Sequence, residues 1–108
     1  MKYTKLEPQN FGDKIMSLKG ISKKTVEEHL KLYVGYVTKY NEIREKLNAL
    51  TDEDYAKANQ SFSLIRELKV ELTFAWGGVV NHEIYFSHLG GKGGMPIGSL
   101  MTQIKKEN

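Results

Sequence analysis

His29 and His82 stand at matched distances from one turn-rich stretch, residues 51–60. His29 lies 22 residues before Thr51, and His82 lies 21 after Ser61. At ~1.5 Å per helical residue, each is ~33 Å from the tip of a hairpin folded about that stretch. Two antiparallel helices would therefore carry both imidazoles to the open end. Neutral imidazole is the commonest metal ligand among side chains, so the spacing describes part of a metal site. For either histidine alone, the rival reading is a packed residue on an apolar stripe.

Neither helix can build a site by itself. The positions three and four away from His29 are Thr25, Val26, Leu32 and Tyr33; around His82 they are Gly78, Val79, Tyr85 and Phe86. None is a carboxylate or a second histidine, although these are the positions that share a helix face. Glu28 and Glu83 are immediate neighbours of the histidines and are expected to point elsewhere. The segment thus supplies two ligands, where a metal needs four to six. His88, six past His82, reads as an exposed residue at a helix C-terminus, where the helix dipole favours its charge. The glycines at 90–94 follow a helix and do not join a strand to one, so they are not a phosphate loop. No nucleophile elbow or paired-carboxylate cleft is visible.

The elements that must position the histidines are written in the apolar spacing. Ser22 is a helix N-cap, and Thr25 with Glu28 offers a second capping frame. From there Val26, Leu30, Tyr33, Tyr36 or Val37, Tyr40, Ile43, Leu47 and Leu50 recur at intervals of three and four, one buried stripe of a helix. Asp52, Glu53 and Asp54 after Thr51 break it and can cap a new turn. A second helix is expected over 62–89, with Leu64 or Ile65, Leu68, Leu72, Ala75, Val79, His82 and Tyr85 or Phe86 on its stripe. Gly35, Gly77 and Gly78 each cost a helix about 1 kcal/mol against alanine. They suggest close packing or a local irregularity at Gly35, and at the Gly77 and Gly78 pair a close backbone, a close ligand or a bend. Residues 1–20 read as an arm with a short helical turn near 12–18.

The fold class is therefore all-α: a long antiparallel two-helix hairpin over 21–91, an N-terminal arm over 1–20, and over 92–108 a linker and the start of a further helix. That last stretch reads as the beginning of a C-terminal domain. A lone hairpin buries little surface, so a completing domain or a second copy is expected to cover its stripe, with a homo-oligomer as one outcome.

Composition narrows the function. The chain has 108 residues and no cysteine, which excludes disulfides, thiolate metal sites and a cysteine nucleophile. No apolar run reaches membrane-spanning length and no apolar leader opens the chain, so the expectation is a cytoplasmic protein that meets no membrane. The net charge is +3. Basic and acidic residues alternate (Glu42, Arg44, Glu45, Lys46; Arg66, Glu67, Lys69, Glu71), which is solvated helix surface and not a nucleic-acid stripe. Three functions stay open on these residues: a metal site completed from outside the hairpin, a metal-free helical interaction module, and a site in which two copies contribute four histidines.

The words around the histidines resemble one family. Ile21-Ser22-Lys23-Lys24-Thr25-Val26-Glu27-Glu28-His29, followed by Tyr36-Val37 and Asn41, is similar to the opening helix of iron/manganese superoxide dismutases. Gly77-Gly78-Val79-Val80-Asn81-His82-Glu83-Ile84-Tyr85-Phe86 resembles that family's Gly-Gly-x-x-Asn-His-x-x-Phe-Trp word. The resemblance implies an enzyme that converts superoxide to O₂ and H₂O₂ with iron or manganese, His29 and His82 as ligands and Tyr36 as the tyrosine at the substrate funnel. It implies supporting roles beside the ligands for Tyr33, Gly78 and Phe86. Gly78 matches the position where manganese types carry glycine and iron types glutamine; Phe86 stands where a tryptophan shields the metal.

Three departures matter. The interval from His29 to Tyr36 is one residue shorter than usual. Tyr33 stands where the family has a histidine. The aspartate and third histidine that complete the ligand set belong to the family's C-terminal domain and have no match here, which implies that the chain by itself is catalytically incomplete.

Overall fold

The computed structural model describes residues 3–89. An extended arm leads into a 3₁₀ turn, Lys14–Ser17, and then three helices follow: α1, Lys23–Asn48; α2, Asp52–Ala56; and α3, Leu64–Ser87. No strand occurs among the described residues, and the fold is the all-α hairpin the spacing predicts. No described helix is long and apolar enough to cross a membrane. The readings for 92–108, and for the glycines at 90–94, fall outside the described residues.

Each helix begins on a side-chain cap. Ser22 Oγ accepts from the Thr25 N–H at 3.1 Å, and Ser63 Oγ accepts from the Arg66 N–H at 3.3 Å. Thr25 is thus the third residue inside α1, and its own capping frame goes unused. Thr51 and Asp54 form a full capping box on α2, with each side chain bonded to the other's backbone N–H. The acid run after Thr51 therefore both stops α1 and starts the turn that reverses the chain.

Helices α1 and α3 pack along their length in two apolar clusters. Near the closed end, Ile43 meets Leu68 and Ala75. Near the open end, Val26, Tyr33 and Val37 meet Val79 and Phe86, with Ile15 from the 3₁₀ turn beneath them. Burying side chains of this size contributes ~1.5–3 kcal/mol each, so the open end is as firmly built as the tip. Of Leu64 and Ile65, the alternatives for the first stripe position, Ile65 is partly buried and Leu64 is half exposed.

The arm is part of this packing. Asn41 is buried on α1, and its amide grips the Leu6 backbone twice: Oδ1 accepts from Leu6 N–H and Nδ2 donates to Leu6 O, each at 2.9 Å. Tyr3 Oη donates to the Asn41 carbonyl at 2.9 Å, and the Arg44 guanidinium lies 5.3 Å over the Tyr3 ring. Phe11 then lays its ring against Tyr33 and Phe86, centroids 5.8 and 5.0 Å away. An extended arm was expected; its polar clasp by Asn41 was not.

Candidate metal centre

The antiparallel course of α1 and α3 brings the two histidines together. His29 lies in the second turn of α1 and His82 in the last two turns of α3. Their ring centroids are 5.9 Å apart. His82 Nδ1 is 2.7 Å from the carbonyl oxygen of Gly78, one turn back. A carbonyl only accepts, so Nδ1 carries the proton, and in the neutral ring Nε2 holds the free lone pair. The backbone thereby fixes the tautomer and turns the ring. His29 is different: its Nδ1 is buried and meets no hydrogen-bond partner among the described residues. A buried polar atom left this way costs about 1–3 kcal/mol unless a ligand group satisfies the ring.

The pair comes close to the spacing that a shared ion requires. Two rings bound through nitrogens ~2.1 Å from one ion have centroids about 4.6 to 5.6 Å apart at bond angles of about 90 to 120°. The observed separation is a few tenths of an ångström wider. Imidazole is a good donor for iron and its neighbours in the first transition row. Among the described residues no group of three or more His, Cys, Asp or Glu side chains could hold a metal, so any further donors come from elsewhere.

Aromatic rings close around the imidazoles. Tyr85 lies 5.1 Å from His29, and Tyr36 lies 5.4 Å from His82. Phe86 is buried 6.3 Å from His82 and also packs on Tyr33 and Tyr85. These rings cover part of each imidazole, and both histidines stay partly exposed.

Tyr36 lines a cleft of about 380 Å³ together with Gly78, Asn81 and His82. Its ring lies directly on the Gly78 backbone. A Cβ at Gly78 would sit 2.5 Å from Tyr36 Cγ and 2.6 Å from Cε1, with Cδ1 nearer still. Only glycine permits that approach. The glycine pair was read as room for a backbone or a ligand; at Gly78 the room is taken by a tyrosine ring. Gly77 and Gly35 have nothing within 4 Å of an added Cβ, so of the two readings at Gly35 close packing does not hold. A larger cleft, about 530 Å³, lies at the closed end among Asn59, Ser63, Arg66 and Lys69, and no imidazole borders it.

Tyr33 and Glu83 depart further from expectation. Tyr33 is buried one turn past His29, and its hydroxyl donates to Glu83 Oε2 at 2.7 Å while accepting from the Gln9 N–H at 2.9 Å. Burial pushes the phenol pKa up, the bond to Glu83 and its charge push it further, and the Gln9 N–H opposes them. Glu83 therefore faces α1 and not away from the site. Its adjacency to His82 hid this, because neighbours on a helix differ by ~100° and the next face of α3 still looks at Tyr33. Glu28 does point outward, to Lys31 at 3.6 Å. His88 is the exposed C-cap of α3 and belongs to no cluster.

Comparison with known proteins agrees with this architecture. The sequence model described as iron/manganese superoxide dismutases, alpha-hairpin domain, matches residues 2–90. The chain is 49% identical over 106 residues to superoxide dismutase [Fe] of Aquifex pyrophilus, covering 95% of this chain and 49% of that protein. It is 49% identical over 105 residues to superoxide dismutase [Fe] of Aquifex aeolicus (strain VF5), covering 94% and 46%. With superoxide dismutase [Mn] 2, mitochondrial, of Caenorhabditis elegans it shares 35% over 79 residues, covering 73% and 34%. The chain thus spans about half the length of the Aquifex relatives. On the match to residues 2–90 and the helical hairpin that carries it, this chain belongs to the iron/manganese superoxide dismutase family.

Proposed function

We propose that this chain supplies the two-histidine half of an iron- or manganese-dependent superoxide dismutase. The observation that carries the proposal is the imidazole pair at the open end of the hairpin, with the His82 tautomer fixed by Gly78 O and a buried His29 nitrogen that meets no partner among the described residues. His29 and His82 would hold the ion; a C-terminal half, or a second copy of the chain, would supply the remaining ligands. The family names both metals, iron in the Aquifex relatives and manganese in the nematode one.

When bound, the metal supplies a one-electron couple that oxidises one superoxide to O₂ and reduces a second, with two protons, to H₂O₂. The residues of this chain do the rest. His82 presents one nitrogen because the other is tied to the backbone. Tyr36 lies against His82 at the cleft and presents a phenol, a proton donor and acceptor, where a small anion would enter. Gly78 gives Tyr36 its seat. Phe86 and Tyr85 pack against the imidazoles, and Tyr33 ties α1 to α3 and to the arm. We place the arm at 1–20, the hairpin at 21–91, and the crossing into the C-terminal domain at 92–108.

The test is complementation. The chain, alone and co-expressed with the C-terminal half of the Aquifex pyrophilus relative, is assayed for superoxide consumption. Activity in the pair, lost in His29→Ala and His82→Ala, is expected. Full activity from the 108-residue chain alone would refute the division of ligands.

A further inference from the structure

The apolar seam between α1 and α3, with Tyr36 seated on Gly78, sets how far one helix slides along the other only to within the slack of side-chain packing, because burial is non-directional. A hydrogen bond sets it more finely, since it tolerates only a few tenths of an ångström. Among the described residues one side-chain hydrogen bond joins α1 to α3: Tyr33 Oη to Glu83 Oε2, 2.7 Å. Every ion pair recorded lies within one helix or its cap. The single polar bond falls beside the imidazoles. Tyr33 shares the face of α1 with His29 one turn earlier, and Glu83 follows His82 on α3. It is short and accepted by a carboxylate, the stronger kind. The phenol has no competing water, being 1% exposed, and its remaining lone pair is engaged by the Gln9 N–H of the arm.

We propose that this hydrogen bond is the register latch of the metal site, and that Glu83 is a positioning residue that holds His82 opposite His29. The proposal rests on the reading that those two histidines bind one ion. The Gln9 N–H extends the latch to the arm, so that arm, α1 and α3 meet at one phenol beside the site. A side chain of glutamate's length that ends in an oxygen acceptor is needed at 83, and a tyrosine at 33 to span the gap between helix axes.

The test uses the whole chain and its variants Glu83→Ala, Glu83→Asp, Glu83→Gln and Tyr33→Phe. In the metal-free state, cross-relaxation between the ring protons of His29 and His82 is measured by NMR. Cobalt(II) is then titrated in, and its dissociation constant is read from the visible absorption. The latch predicts that Glu83→Ala, Glu83→Asp (one methylene short of the phenol) and Tyr33→Phe lose the cross-peak and bind cobalt about tenfold more weakly, the usual effect of removing an outer partner of a ligand. Glu83→Gln, which keeps an acceptor at the right length, restores both. A far-UV helix signal at the parental level verifies folding, and Glu83→Asp serves if Glu83→Ala fails that check. A parental cross-peak and parental affinity in both Glu83→Asp and Tyr33→Phe would overturn the latch while leaving the histidine pair intact. Loss of the cross-peak in these variants, with cobalt binding that survives His29→Ala, would uphold the latch and overturn the two-histidine reading.

Discussion

Alanine at Gly77 and alanine at Gly78 should move stability in opposite directions. The two residues are consecutive in the middle of α3, and each gains about 1 kcal/mol of helix propensity on becoming alanine. At Gly77 a new Cβ has nothing within 4 Å, so the gain stands. At Gly78 the Cβ would lie 2.5 Å from Tyr36 Cγ, against a comfortable carbon–carbon distance of ~3.5–4.0 Å. The ring must back off by about 1 Å, breaking its packing on His82 and Phe74, whose centroids are 5.4 and 6.0 Å away. Overpacking of this kind costs about 1–3 kcal/mol, so Gly78→Ala nets between about zero and 2 kcal/mol of destabilisation. The difference between the variants is then about 1–3 kcal/mol, roughly 4–8 °C in Tm per kcal/mol for a domain of this size. Thermal unfolding followed by far-UV circular dichroism reads it. Adding Tyr36→Ala removes the obstructing ring, and in that background Gly78→Ala should regain about 1 kcal/mol. A Gly78→Ala variant as stabilised as Gly77→Ala with Tyr36 present would refute the argument that the tyrosine ring occupies the glycine's space.

Other perturbations follow from the same contacts. Asn41→Ala should destabilise by about 1–3 kcal/mol by orphaning the Leu6 backbone, and should expose the arm to limited proteolysis before the helices unfold. Phe86→Ala removes a side chain that is 1% exposed and touches Phe11, Tyr33 and Tyr85; a loss of about 3–5 kcal/mol in urea unfolding is expected. Helix α2 should weaken in acid. The Thr51 N–H and then the Thr51 hydroxyl hold the Asp54 carboxylate below the usual aspartate range, so its contribution is full above the ordinary value of 3.8 and is lost as pH falls through the lower folded value. Amide protection factors at Asp54 and Tyr55, the exchange rates taken relative to an unfolded peptide at the same pH, that stay constant down to about pH 2 would contradict this.

Much of this was legible in the sequence, for reasons specific to the residues. The three-and-four spacing of apolar residues names both long helices, Ser22 marks where the first begins, and equal distances from the turn pair His29 with His82. What escaped was lateral. Asn41 lies inside an apolar stripe, and nothing in its neighbours says that a chain segment 35 residues away supplies its partners. Glu83 adjoins a candidate ligand and was set aside by helical angle alone, although α1 is broad enough to meet two adjacent faces of α3. Gly78 declared a close approach without declaring by what. The one-residue shortening between His29 and Tyr36 also did not reveal that Tyr36 would settle against His82, on the other helix.

The central claim is that His29 and His82 bind one ion together, and paramagnetic titration tests it most directly. The chain has three histidines, and His88 is an exposed internal control. Substoichiometric manganese(II) is added while the three sets of imidazole proton resonances are followed. Simultaneous broadening of His29 and His82 with His88 sharp, abolished at His82 by His29→Ala, is the predicted result. Broadening of His88 first, or of His82 unchanged by His29→Ala, would contradict a shared site.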